Sequence, residues 1–389
     1  MGAALGAAIT LVVCTGAASS SPRHATGQWR SGSVTTTTPR APARFSAVSV
    51  TFVSAGTGWV LGTVPAGSGA KLAVDHTADG GTSWSASPAP KAVFGARDTL
   101  DGAIIRFADP EDGWIAAPEP GATNGLLSVL WSTHDGGASW HRVGVPGGGV
   151  VAALESSGGV FQLATTKATV VQIYSTPAAR SAWVRSATSL PVGAGPVPSA
   201  GLVLHGGAGW LVENDRIVVA GARLASGRWA RWVPPCRNAN GKASYAASST
   251  TDLVAVCDEG VWGPPAPGTT AEAWLFASGD AGGHFHAVGQ IVTSRIRGVD
   301  SVGSVATPPG EPQVVVVGGL GMAATFDGGH TWRTVYSGPA GREVRVAGFT
   351  TARQGVAIAT GGARPSTLLM TRDGGRTWSP VRLPRSATR

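Results

Sequence analysis

The sequence predicts an all-β protein: a seven-bladed propeller of four-stranded blades, with six or eight blades as the neighbouring alternatives. Three observations predict it. A short Asp-Gly-Gly phrase recurs at long, near-constant spacing, a second motif with a Gly-Trp turn or its remnant recurs between the copies, and helix-period patterning is absent after residue 45. Self-similarity at a period of ~40–50 residues is the mark of blade repeats.

The phrase runs from Thr77 to Trp84 (with Asp79 and Gly81), from Thr133 to Trp140 (Asp135, Gly137), from Ser278 to Phe285 (Asp280, Gly282), from Thr325 to Trp332 (Asp327, Gly329) and from Thr371 to Trp378 (Asp373, Gly375). Apolar and β-branched residues flank each copy, as in 71–77, 129–132 and 367–371, so each copy reads as a hairpin turn between strands. Gly supplies positive φ without steric cost, and Asp bonds the backbone two residues on. The Ser or Thr hydroxyl satisfies a further turn amide, and the Trp offers a large face for burial.

A second motif precedes each box by a few tens of residues: Phe52 to Gly58-Trp59, Phe107 to Gly113-Trp114, Leu204 to Gly209-Trp210, and a degenerate copy from Phe349 to Gly355-Val356. It reads as a strand, a tight turn and a second strand opening on an aromatic. Two hairpins per period make a four-stranded blade. With Trp as the ruler, decayed boxes at 175–183 and 225–229 fill the gaps. The markers Trp84, Trp140, Trp183, Trp229, Phe285, Trp332 and Trp378 then step by 56, 43, 46, 56, 47 and 46 residues. Seven markers give seven blades. The 57 Gly and 26 Pro fit many short strands and tight turns, and propellers grow by adding blades to one chain.

Residues 3–13 form an apolar run too short to span a bilayer, followed by small residues. That is a signal-peptide pattern, so residues 1–18 are expected to direct export or to anchor the chain. The stretch before the run carries no Lys or Arg, which leaves an upstream start codon open. Leu11-Val-Val-Cys14 resembles a lipoprotein lipobox, although Val13 breaks the pattern. Lipidation at Cys14 and cleavage after Ala18 are the two readings. Residues 19–44 are rich in Ser, Thr and Pro and read as a flexible tether. The propeller occupies 45–384. With Cys14 set aside, Cys236 and Cys257 form an even pair, expected as a disulfide in an exported protein.

The net charge of +8 comes mostly from Arg scattered singly or in pairs. The Trp residues sit at repeat positions, so nothing forms a base-stacking platform and nucleic acid is not an expected partner. Attraction to an anionic envelope polymer is the better use of the charge.

The Asp-Gly-Gly phrase resembles the Asp-box of BNR repeats, Ser/Thr-x-Asp-x-Gly-x-Thr/Ser-Trp. With the Gly-Trp turns it resembles, over roughly 45–384, the BNR-like propellers related to photosystem II assembly factors and to sortilin-type receptors. The resemblance implies a scaffold that binds proteins or peptides and performs no chemistry. The sialidases share the boxes, but in them the boxes lie on the outer rim, away from the active site. A sialidase also implies an Arg-Ile-Pro motif, an arginine triad and a Tyr–Glu pair. Here only Arg216-Ile-Val and Arg295-Ile-Arg come near the first, and the tyrosines are Tyr174, Tyr245 and Tyr336. Tyr336 with Arg342 and Glu343 is the nearest approach to such a site and reads better as an ordinary loop and strand start.

Other chemistry is equally thin. His76, His134, His284, His286 and His330 lie in or beside the boxes and read as rim residues. Asp109, Glu111 and Asp112 read as a solvated acidic turn ahead of a weak Ca²⁺ site. No catalytic residue, metal or cofactor is expected. In a four-stranded blade the boxes and the Gly-Trp turns share one face. The other face carries the longer, less repetitive loops (85–100, 144–149, 234–243, 258–272, 295–297 and 337–343), where binding residues collect on a rigid scaffold. Arg97, Arg237, Arg295, Arg297 and Arg342 are the candidates for an anionic group on a protein, peptide or envelope polymer. The expected function is therefore a monomeric, exported, non-enzymatic binding scaffold, with a glycan-binding or glycoside-hydrolysing propeller as the alternative.

Overall fold

A computed structural model describes residues 45–383, apart from 96, 97, 99, 101, 123–126, 193–199, 215–217, 237–242, 259–271, 293–302, 339–341 and 362–364. Twenty-nine strands among the described residues form seven antiparallel sheets, each built from consecutive strands. Blade 1 comprises β1 (Ser46–Phe52), β2 (Gly58–Ala66), β3 (Gly69–Thr77) and β4 (Ser85–Ser87), with a short β5 (Val93–Phe94) pairing the start of β3. Blade 2 holds β6 (Ile104–Phe107), β7 (Gly113–Pro118), β8 (Ser128–Thr133) and β9 (His141–Val143). Blade 3 holds β10 (Val150–Ser157), β11 (Val160–Lys167), β12 (Val170–Pro177) and β13 (Val184–Pro191). Blade 4 holds β14 (Ala200–His205), β15 (Ala208–Asn214), β16 (Val218–Ala225) and β17 (Arg228–Trp232). Blade 5 holds β18 (Ala243–Ala247), β19 (Leu253–Asp258), β20 (Glu272–Ser278) and β21 (His286–Val292). Blade 6 holds β22 (Ser304–Ala306), β23 (Val315–Gly318), β24 (Met322–Thr325) and β25 (Arg333–Tyr336), and blade 7 holds β26 (Glu343–Phe349), β27 (Gly355–Thr360), β28 (Thr367–Thr371) and β29 (Ser379–Pro380). Seven blades is the count the Trp ruler predicts.

Each full box is a closed hydrogen-bond ring between the third and fourth strands of its blade. In blade 1, Thr77 Oγ1 donates to Asp79 Oδ1 at 2.9 Å and accepts from the Gly81 amide at 2.9 Å. Asp79 also receives the Ser83 amide at 2.8 Å and the Ser83 hydroxyl at 2.6 Å. The Ser83 hydroxyl and then its amide hold the Asp79 carboxyl down to about 2, and Ser139 does the same for Asp135. The pattern repeats at Asp327 and Asp373. In blade 5, His284 takes the hydroxyl's place, with Nδ1 2.6 Å from Asp280 Oδ2.

The second motif has an equally direct cause. The Phe52 ring lies across Gly58, and a Cβ there would stand 2.6 Å from it; Gly113 under Phe107 repeats the arrangement at 2.6 Å. Only Gly admits the ring. Each box then docks on the first hairpin of its own blade: the Gly80 amide donates to Gly56 O at 2.7 Å, and Gly136, Ala281, Gly328 and Gly374 repeat the contact. Boxes and Gly-Trp turns therefore share one face, as strand order requires.

Between blades the packing is apolar, with Trp59 stacked on Phe107 at 3.7 Å and 5°. Among the described residues no blade takes a strand from another, so closure between blades 7 and 1 rests on side chains. Phe52, Val60 and Trp84 pack against Val356, Leu368 and Met370. Arg372 Nη2 donates to Gly80 O at 2.7 Å, and the Ser366 amide donates to Ser46 Oγ at 3.1 Å.

Candidate functional site

The seam between blades 7 and 1 opens on the loop-bearing face as a cleft of about 220 Å³. Its position follows from the topology: the starts of β1 and β26 and the end of β27 meet there, next to the connection that enters blade 2. Ala47, Ile358 and Leu100 give it an apolar side. Ser46, Thr360 and Ser366 give it a chain of hydroxyls, with Ser366 Oγ donating to Thr360 Oγ1 at 3.1 Å and Ser46 Oγ donating to Ser366 Oγ at 3.3 Å. Arg345 stands at its edge with only 16% of its side chain exposed. Glu343 lies two residues away, but the contacts are long: Arg345 Nε reaches Oε1 at 3.4 Å and Nη2 reaches Oε2 at 3.5 Å. A guanidinium carries five donors, so much of its capacity remains for a group entering the cleft.

Of the five predicted arginines, Arg97, Arg237, Arg295 and Arg297 lie outside the described residues. Arg342 is described and is 8% exposed. Its Nη1 donates to Thr367 Oγ1 at 3.0 Å and its Nη2 to the Pro365 carbonyl, so it fixes the segment that carries Ser366. Arg345 was not singled out from sequence because it sits inside a strand; only the inward turn of β26 at the axis brings it to the cleft. Tyr336 packs with the blade 6–7 core, Arg342 faces Thr367 and Glu343 faces Arg345, so these three are held by separate partners.

Two further elements shape this face. Cys236, in the turn after β17, and Cys257, in β19, form a disulfide with Cα atoms 5.4 Å apart. The bridge staples blade 4 to blade 5, and the Tyr245 hydroxyl donates to Pro235 O beside it at 3.1 Å. At the axis, Arg106 and Glu155 form a buried bidentate pair at 2.8 and 2.6 Å, and Arg106 also reaches Ser49 Oγ at 3.2 Å. The first strands of blades 1, 2 and 3 are thereby tied together. This pair left no trace in the repeat pattern, because its residues are 49 apart and each looks like an ordinary strand residue.

The acidic turn at Asp109 is an Asx turn, in which Asp109 Oδ1 accepts the amides of Glu111 and Asp112, both at 2.8 Å. Among the described residues no group of three or more His, Cys, Asp or Glu is placed to hold a metal ion.

Comparison with solved structures supports the architecture. A GH74 enzyme from Niastella koreensis superposes with a TM-score of 0.51 at 14% identity, over 87% of this chain and 59% of that one. The present chain therefore spans well under two thirds of that enzyme. YCF48 bound to D1 peptide superposes with a TM-score of 0.53 at 16% identity, over 85% of this chain and 93% of that one. At such identities the likeness is one of fold alone. No family model matches the sequence, and no curated protein matches it.

Proposed function

We propose that this chain is an exported binding scaffold that holds a protein or peptide on its loop face, with the cleft between blades 7 and 1 as the centre of the contact. The observation that carries the reading is Arg345. It is a mostly buried cation with spare donors, set beside hydroxyls and an apolar wall in the seam that joins the last blade to the first. Concave, partly apolar sites with a few converging polar groups are where ligands bind. A propeller of similar fold accommodates a peptide, which is consistent with this use. Export through residues 1–18, with either cleavage after Ala18 or lipidation at Cys14, belongs to the same proposal; mass spectrometry of the mature N-terminus separates the two.

The alternative ligand is a glycan, favoured by the hydroxyl chain Ser46–Ser366–Thr360. Probing the full chain on a peptide array and a glycan array, alongside Arg345→Ala and Leu100→Arg, tests both. Peptides retained by the parent and lost by both variants support the proposal. Retention of glycans alone shifts it to the alternative, and peptide binding indifferent to both variants removes the cleft from it. A fluorogenic sialoside assay checks the hydrolytic form of the alternative.

A further inference from the structure

Across the seam between blades 2 and 3, on the box face, three side chains line up in an order that belongs to nucleophilic catalysis. His134, between Thr133 and Asp135 of the second box, turns out of its own hairpin. Its Nδ1 lies 2.6 Å from Oδ1 of Asp112, and its Nε2 lies 3.0 Å from Oγ of Ser181. Asp112 is 9% exposed, and Asp109 holds its amide. Ser181 is exposed and belongs to the turn in which blade 3 has lost its box. There Ala178 stands where the box aspartate would be, and Thr176 Oγ1 donates instead to the Arg180 carbonyl at 3.0 Å.

A carboxylate on Nδ1 selects the imidazole tautomer whose Nε2 lone pair faces the hydroxyl, so Nε2 can take the hydroxyl proton. At rest the Ser181 hydroxyl donates to Ser132 Oγ at 3.2 Å. A hydroxyl hydrogen turns freely, and Nε2 is the nearer acceptor. Ser181 and Ala182 precede the strand that starts at Val184, so their amides lie outside its ladder and are available to a developing oxyanion.

We propose that Ser181, His134 and Asp112 form a nucleophile, base and positioning carboxylate that hydrolyse short acyl esters. Ser181 Oγ adds to the ester carbonyl as its proton passes to His134 Nε2. The alcohol leaves with that proton, giving an acyl-Ser181. His134 then takes a proton from water, which attacks the acyl group, and carboxylic acid and the free hydroxyl are released. The turn around Ser181 exposes Ala179, Arg180 and Ala182, two methyl side chains beside one cation that offer a long acyl chain little apolar area, so the acyl group is short. The site is on the opposite face from the cleft and does not depend on the loop-face reading.

The test uses the full chain with a fluorophosphonate probe and with p-nitrophenyl acetate and octanoate. Label mapping to Ser181, acetate hydrolysed faster than octanoate, and loss of both reactions in Ser181→Ala are expected. His134→Ala, with His134→Gln as a second variant, should slow labelling at least ~100-fold, within the range a general base contributes. Ser132→Ala removes the competing acceptor and should speed labelling. Asp112→Asn should lower the maximal labelling rate and Asp112→Glu should restore part of it, because a carboxylate on Nδ1 orients the ring; a structural contact alone would leave the labelling rate of a folded variant unchanged. Thermal melts establish that each variant is folded. A folded parent that takes no label, label on another residue, or labelling indifferent to both His134 variants overturns the proposal.

Discussion

The indole Nε1 of Trp59 donates over 3.1 Å to the carbonyl of Gly136, so a tryptophan in blade 1 is bonded to the box of blade 2. Trp210 makes the same bond to Ala281 in the box of blade 5, at 2.9 Å. Trp114 occupies the equivalent position in blade 2 and faces the blade whose box is lost. Its buried Nε1 has no partner. A buried donor left unpaired costs about 1–3 kcal/mol. Trp210→Phe is therefore expected to destabilise by about 1–2 kcal/mol more than Trp114→Phe, although both delete the same atoms. Denaturant midpoints of the two variants check this, and equal losses would show that the indole bond contributes nothing net.

At the axis, removing one member of the Arg106–Glu155 pair leaves the other charge buried. Glu155→Gln or Arg106→Met should each cost about 3–5 kcal/mol, while Arg106→Met with Glu155→Leu should cost much less than the sum. A double-mutant cycle on unfolding free energies measures the difference. Additive losses would mean the two residues act separately.

Asp75 is 1% exposed and shares a strand face with Ala73 at the blade 7–1 seam; its cross-strand partner Val60 belongs to the apolar cluster there. Its Oδ2 has no partner, and burial pushes its carboxyl up from 3.8 to about 6. Because the folded value is the higher one, the stability contribution is fully present below pH ~4 and is lost as the pH rises through about 6. The loss amounts to about 3 kcal/mol. Asp75→Asn should flatten the pH dependence of Tm between pH 4 and 7 and raise Tm at pH 7.5. An unchanged slope in that window would place the titration elsewhere.

The Cys236–Cys257 bridge closes a loop of sequence separation 21. Reduction, or the double variant Cys236→Ser with Cys257→Ser, should cost roughly 3 kcal/mol by the chain-entropy argument. Calorimetry with and without reductant measures it. A Tm indifferent to reductant would mean that blades 4 and 5 are held fully by their packing.

How much was legible in the sequence depended on whether a feature is local. The Asp79 ring, the turn at Gly80-Gly81 and the Phe52-on-Gly58 stack each lie within a few residues of chain, and their residue types admit little else. The ruler found blades 3 and 4 despite their eroded boxes because the spacing outlasted the turn chemistry. In blade 4 the box has shrunk to the hairpin at Ser226-Gly227, yet Trp229 still holds its place, its indole Nε1 donating to the side-chain oxygen Oε1 of Gln162 at 3.0 Å. The Cys236–Cys257 pair was readable for another reason: only two cysteines remain once the N-terminal one is set aside.

Sites made by residues far apart in the chain were not legible. Arg345 reads as a strand residue until ring closure sets it beside Ser46, some 300 positions away. His134 reads as the variable residue of a box until the neighbouring blade brings Ser181 within 3.0 Å. The sequence by itself determined the repeat, a blade count of seven to within one and the face on which the boxes lie, because turn chemistry and strand alternation act over a few residues. Only the tertiary structure decided which side chains meet at the axis and across the seams, because the blades' packing and closure, and not any local preference, set those distances.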